Sequence, residues 1–182
     1  VSSAASDVYK RQIGNSINID KRLFREDISA SIAHVEMLFK QKIINFKVKN
    51  KIIFGLNRIK NEIIKKKFTF HLSDEDIHMS IERRLFEIIG EDAGYIHTAR
   101  SRNDQVITDF KIWLRNNTND LIKLLTLSQK IILNKAEKNI YTLMPGFTHL
   151  KNAQPISFAH YLLAYVEILE RDKKRFEFNM NN

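Results

Sequence analysis

The sequence predicts an all-α protein, and three observations carry that prediction. Only five Gly and two Pro punctuate 182 residues. Apolar residues recur at three- and four-residue steps in most windows, the period of a helix with one buried stripe. Strict apolar/polar alternation of strand length is nearly absent. Hydrophobic residues make up 43% and charged residues 28%, a globular composition on a chain long enough to bury a core in one or two domains.

The elements follow in order. The first twelve residues, VSSAASDVYKRQ, lack the Ile, Lys and Asn bias of the remainder and show no apolar h-region. They read as a non-native leader rather than a targeting signal. A helix is predicted over 28–46 from Ile28, Ile32, Val35, Leu38 and Phe39, and a second over 51–66. Ser73 is the candidate N-cap of a third, with Asp74, Glu75 and Asp76 where the helix dipole favours acids. That helix continues through Ile77, Ile81, Leu85 and Ile88, with Gly90 as its C′ residue. A long helix runs from about Gln105 through Val106, Trp113 and Leu121 towards Lys123, and the pattern leaves open whether it continues or breaks before Ile140. Met144, Pro145 and Gly146 are expected to form a turn, and Pro155 to start a last helix from Ile156. That pattern is still helical where the sequence stops, so the chain is expected to be a fragment of a longer protein. The later helices are long enough for an extended bundle.

Composition narrows the function. With no cysteine, disulfides, thiolate chemistry and Cys-ligated metal are excluded. No apolar run approaches the roughly 20 residues a membrane helix needs, so a soluble cytoplasmic protein without membrane contact is expected. The net charge of +9 is local: residues 40–67 hold ten Lys and Arg against only Glu62, and the rest of the chain is neutral. Such a stripe could attract phosphate backbones. Ile52, Ile53, Leu56, Ile59, Ile63 and Ile64 share the segment at helical spacing, however, and a solvated helix face without nucleic acid is the expectation.

Three polar clusters fall at helix ends. In SDEDIH, Ser73 to His78, Asp76 and His78 are two apart and point to different faces of a helix, a poor metal spacing and an ordinary capping pattern. In TARSRNDQVITDF, Thr98 to Phe110, Arg100 and Arg102 could each hold a carboxylate bidentately. Ser101 and Asn103 add neutral donors, and the amides of the following helix favour an anion. The alternative is that Asp104 caps the helix and both arginines are solvated; spacing does not decide between the two. In PGFTHLKNAQP, Pro145 to Pro155, Thr148 and His149 share a loop bounded by two prolines. An imidazole there can exchange a proton near neutral pH, and a hydroxyl can bind a carboxylate oxygen. His34, His71, His97 and His160 have no comparable setting and are read as structural.

Taken together, GNSINIDKRLFREDISASIAH (14–34), LSDEDIHMSIERRLFEIIGEDAGYIHTARSRNDQVITD (72–109) and MPGFTHLKNAQPISFAHYLLAYVEILERD (144–172) resemble the argininosuccinate lyases of the fumarase/aspartase superfamily. The resemblance covers Gly14 to about Arg175, and its SRNDQ and GFTHLKNAQP blocks are each specific. It implies an all-helical homotetramer, without cofactor or metal, whose composite active sites cleave argininosuccinate to fumarate and arginine in arginine biosynthesis. It divides the chain into an N-terminal helical domain, 13–99, and the start of a central helix bundle, 100–182. Ser31 matches the family's amino-terminal substrate-binding serine. Asn103 matches its substrate-binding asparagine, with Ser101 and Arg102 on the same loop. Thr148 matches a residue that binds a substrate carboxylate from a neighbouring subunit, and His149 matches the catalytic histidine. Asp76, His78 and Gln154 match residues lining the site.

β-Elimination removes a weakly acidic proton beside a carboxylate and builds a doubly charged aci-carboxylate. Donors placed where that charge develops, and an acid for the departing nitrogen, are what it requires. The family's third signature, an SSxMPxKxN loop carrying the serine base and a lysine, is absent from these 182 residues. The chain alone is therefore expected to be inactive, and fumarate release by the isolated chain would contradict this. The alternatives are another fumarate-releasing lyase of the superfamily and a non-catalytic protein like the lens crystallins that resemble this family.

Overall fold

The computed structural model describes residues 14–71 and 73–181; the leader expected over residues 1–12 lies outside them. Five long helices carry the fold: α1 (Phe24–Lys40), α2 (Phe46–Ile64), α3 (Ile77–Ile89), α4 (Arg102–Glu137) and α5 (Phe158–Asn181). A single helical turn, Ile17–Asp20, and a 3-10 turn, Lys21–Leu23, lead into α1, and a 3-10 segment, Gly90–His97, follows α3. The only strands among the described residues form an antiparallel hairpin of β1 (Leu143–Thr148) and β2 (Lys151–Ser157). The all-α expectation holds apart from this hairpin.

Backbone contacts divide the chain into two compact units, Val1–Trp113 and Leu114–Asn182. In the first, α1 packs on α2 and α2 on α3. Each helix contributes one stripe at three- and four-residue spacing: Ile28, Val35 and Leu38 from α1, Ile52, Leu56 and Ile59 from α2, Ile77, Ile81 and Leu85 from α3, all buried. Helix α2 comes close to α3 at Gly55, where a Cβ would run into Leu85 Cδ1. Truncating the fully buried Leu85 to alanine is expected to cost about 2–5 kcal/mol, the usual penalty for a core cavity. Urea unfolding measures this, and a loss below about 1 kcal/mol would show that the helices collapse around the gap.

Several boundaries differ from the sequence reading. The helix expected over 28–46 ends at Lys40, because Lys42 adopts a left-handed φ of 61° and Ile43 N–H turns back to Leu38 O. Ile44 then enters the core, and Asn45 starts α2 by accepting from Val48 N–H. The cap of α3 is Asp76, not Ser73: its Oδ1 accepts from Met79 N–H at 2.6 Å. Asp74 is spent instead on the Ser80 hydroxyl and the Arg83 guanidinium. At the far end Gly90 takes φ +71° as the expected C′ residue, its N–H reaching Phe86 O.

The second unit holds the remainder of α4, the hairpin and α5. Gln129 on α4 donates to Val166 O and Glu170 Oε2 on α5. The expected turn at Met144–Gly146 is strand β1, and the helix expected from Ile156 begins at Phe158. The prolines, Pro145 and Pro155, are paired across the hairpin; a two-stranded sheet consists only of edges, which tolerate the missing N–H. No helix among the described residues is long and apolar enough to cross a membrane.

Candidate active site

In the first unit the candidate side chains gather where the first turns of α3 and α4 meet α1. Helix α4 starts at Arg102, and Ser101 caps it: its Oγ accepts from Asn103 N–H and its carbonyl from Gln105 N–H. The helix start is capped, but by Ser101 rather than Asp104, and both arginines are engaged: Arg102 with Glu82 and Arg100 with Ser31. The Ser101 and Asn103 side chains remain exposed to solvent. Arg102 is only partly exposed and is not a free cation. It grips Glu82 bidentately at 2.7 and 2.9 Å, bonds Gln105 Oε1, and lies 3.7 Å from the Asp76 carboxylate. Glu82 also meets His97 Nε2 at 2.7 Å.

Behind this surface lies a buried set. Gln105 passes from Arg102 to Asp27, donating Nε2–H to Asp27 Oδ1. Asp27 Oδ1 also meets His78 Nδ1 at 2.9 Å, and Asp109 Oδ2 lies 3.5 Å from the same nitrogen. Asp27, His78 and Asp109 are 1%, 2% and 0% exposed. Burial works against the imidazolium, but the bond to Asp27 and its charge outweigh that and raise the His78 pKa. Burial likewise works against the Asp27 carboxylate, yet its bond to His78 and their attraction hold it below the usual carboxylate range. Asp109 goes the other way: burial, then the Asp27 charge, push its carboxyl up to about 8. Potential ligand atoms of these three side chains also lie within 4.8 Å of one another.

Ser31 is fully buried and accepts from Arg100 Nη1 at 3.0 Å, so in this chain it positions Arg100 rather than facing solvent. Ser16 and Asp20 occupy the start of α3 instead. Ser16 donates its hydroxyl to Asp20 Oδ2, and Asp20 Oδ1 accepts from Ile77 N–H. Burial and the nearby Asp76 charge raise the Asp20 carboxyl above its ordinary value.

Thr148, His149 and Gln154 belong to the second unit, all on the hairpin and all exposed. Thr148 pairs with Lys151 across a two-residue turn of His149 and Leu150. Both turn residues have left-handed φ, 50° and 62°, the requirement of a type I′ turn. That turn favours Asn and Gly, and residues with larger side chains pay roughly 1–2 kcal/mol each to adopt it. A candidate catalytic imidazole is therefore presented from strained backbone at the tip of a hairpin.

A family profile described as Lyase matches residues 2–181. The chain belongs to that lyase family. It is 65% identical over 178 residues to an argininosuccinate lyase of Pelagibacter ubique (strain HTCC1062), covering 98% of this chain and 38% of the relative. It is 52% identical over 172 residues to an argininosuccinate lyase of Ehrlichia chaffeensis, covering 94% and 36%. The chain thus spans little more than a third of the length of these relatives. Among solved structures, an EDDS lyase variant with bound fumarate matches with a TM-score of 0.76 at 25% identity, covering 98% of this chain and 35% of that one.

Within this lyase chain, Asp27, Gln105 and Asp109 escaped the sequence reading, as did Ser16 and Asp20. The signal for the buried set was a polar one: the inward positions at the start of α4 are Gln105 and Asp109, four apart, where an apolar stripe is expected. Gly146 on the hairpin has a packing reason that spacing does not show. A Cβ there would lie 2.5 Å from the Gln154 carbonyl oxygen, a backbone atom that no rotamer change can move. Gly146→Ala is expected to open the hairpin, seen as faster hydrogen exchange of its cross-strand amides. Unchanged exchange would show that the register irregularity between Pro145 and Phe147 absorbs the methyl.

Proposed function

We propose that the protein carrying this chain is an argininosuccinate lyase, which eliminates fumarate from argininosuccinate and releases arginine. The observation that carries the reading is the 65% identity, over 98% of this chain, to a relative named for that activity. The exposed donors are of the types the reaction needs. Ser101 and Asn103 at the start of α4, and Thr148 at the hairpin tip, would hold the substrate carboxylates. Their hydrogen bonds strengthen as the doubly charged aci-carboxylate forms, commonly by a few kcal/mol per well-placed group. His149 takes part in one of the two proton transfers, and a serine on a separate loop takes the other. For Arg102 to bind a substrate carboxylate, the incoming group must displace Glu82. Asp76 and Gln154 line the site, and Ser31 acts through Arg100.

In this reading the whole protein is a cytoplasmic homotetramer, without cofactor or metal, whose active sites combine segments of different subunits. Residues 13–99 form its N-terminal domain and 100–182 the start of its central bundle. The test is made on the protein at the length of its relatives, supplied with argininosuccinate or adenylosuccinate in turn. Fumarate release, followed by ultraviolet absorbance, is expected from argininosuccinate alone. Release from adenylosuccinate alone would assign the protein to a sister lyase.

A further inference from the structure

Asp27, His78 and Asp109 come from three helices, and their charges do not balance if both carboxyls are ionised. One imidazolium would face two carboxylates in a site closed to solvent, leaving an uncompensated buried charge that a marginally stable fold does not tolerate. The donors are also unevenly shared. Asp27 Oδ1 receives both His78 Nδ1–H and Gln105 Nε2–H, whereas neither Asp109 oxygen receives a hydrogen bond from the described residues. An oxygen of each carboxyl lies within 4.8 Å of the other, and the two groups interact directly.

We propose that Asp109 keeps its proton at neutral pH and donates it to Asp27, which makes Asp109 a positioning residue for the candidate site. Asp27 then stays ionised, pairs with the His78 imidazolium and accepts from Gln105, whose other end holds Arg102. The charged and titratable groups around Asp109 are Asp27 from α1, His78 from α3 and Arg100 from the loop before α4. Beyond His78 stand Asp20 and Asp76, both of which interact with its charge. With Asp109 protonated the trio is neutral; once Asp109 ionises, it adds a negative charge beneath Asp20, Asp76 and Arg102. The upward displacement of the Asp109 carboxyl agrees with this assignment. The rival occupant is a divalent cation bound to the same three side chains, which would require both carboxyls ionised.

Infrared spectroscopy of the protein at the length of its relatives separates the two. At neutral pH a protonated-carboxyl stretch is expected, shifted by 13C-aspartate labelling and lost in Asp109→Asn. Should that variant fail to fold, labelled Asp20→Asn decides instead: the acid band is expected to persist there, and its loss would assign the proton to Asp20 and overturn the proposal. Absence of a labelled acid band would overturn the proposal, as would one equivalent of metal retained by the purified protein. The positioning role is read in KM for the lyase substrate against pH: the wild-type protein is expected to show an alkaline rise that Asp109→Asn lacks. An identical rise in both would overturn that role. Only this last measurement rests on the lyase reading, so failure of that reading leaves the infrared result standing.

Discussion

Asp27→Ala is expected to lower folding stability by about 3 kcal/mol or more, the cost of removing one partner from a buried ion pair. The substitution leaves the His78 Nδ1–H and the Gln105 amide without their acceptor in a site that water does not reach. Asp109 softens the loss by ionising in its place. It compensates only in part, since it stands 3.5 Å from the imidazole where Asp27 stands at 2.9 Å. The pH dependence follows from the direction of each shift. Asp27, held low, contributes stability that is present above 3.8 and is lost as pH falls through its folded value. His78, held high, contributes stability that is complete below 6.5 and is lost as pH rises through its folded value. Asp109, raised to about 8, is protonated in the folded state while the unfolded chain has already released its proton. Through Asp109, stability therefore falls between about pH 4 and about pH 8, and the His78 contribution adds to the decline from 6.5 upward. Urea midpoints across this range are expected to decline towards alkaline pH in the wild-type protein and less steeply in Asp109→Asn. Equal slopes would place the titrating group elsewhere.

His149→Asn is expected to lower kcat of the whole enzyme by about 10²–10⁴-fold, the usual contribution of a positioned proton-transfer group. Asparagine is the informative replacement because it tolerates left-handed φ. The turn at His149 and Leu150 is thereby kept while the titratable ring is lost. His149→Ala removes both and is expected to show the same kcat loss together with faster amide exchange in the hairpin. If His149→Asn keeps wild-type kcat while His149→Ala does not, the residue serves the turn and not the chemistry. Steady-state fumarate release with saturating substrate makes the distinction.

The helices were legible because their stripes are simple: Ile28, Val35 and Leu38, or Ile77, Ile81 and Leu85, each face one core. Their ends were less so. Lys42 adopts left-handed φ without being Gly or Asn, and Asp74, Glu75 and Asp76 offer adjacent carboxylates of which the fold uses the last as the cap. The hairpin was invisible for a physical reason. Its turn is His-Leu where a sequence reader looks for Asn-Gly, and its strands carry two prolines and no alternation. The exposed donors Ser101 and Asn103 could be singled out from local spacing together with the family resemblance. The Asp27–His78–Asp109 set could not, because its members lie 51 and 31 residues apart and only the packing of three helices brings them together. The same packing explains Arg102, which reads as a free cation until Glu82 is placed beside it.

The enclosure of that trio also separates how the first unit should answer to salt and to acid. Its surface pairs, Lys51 with Asp92 and Arg58 with Glu62, have their basic partners about half exposed. Added electrolyte screens such pairs over a distance of about 10 Å at 0.1 M. The interior pair offers mobile ions no approach. Above the 4.5 at which a free glutamate titrates, ionic strength thus acts on the outside of the helical unit and protons act on its centre, so a given salt concentration should displace that part of the pH–stability curve without reshaping it.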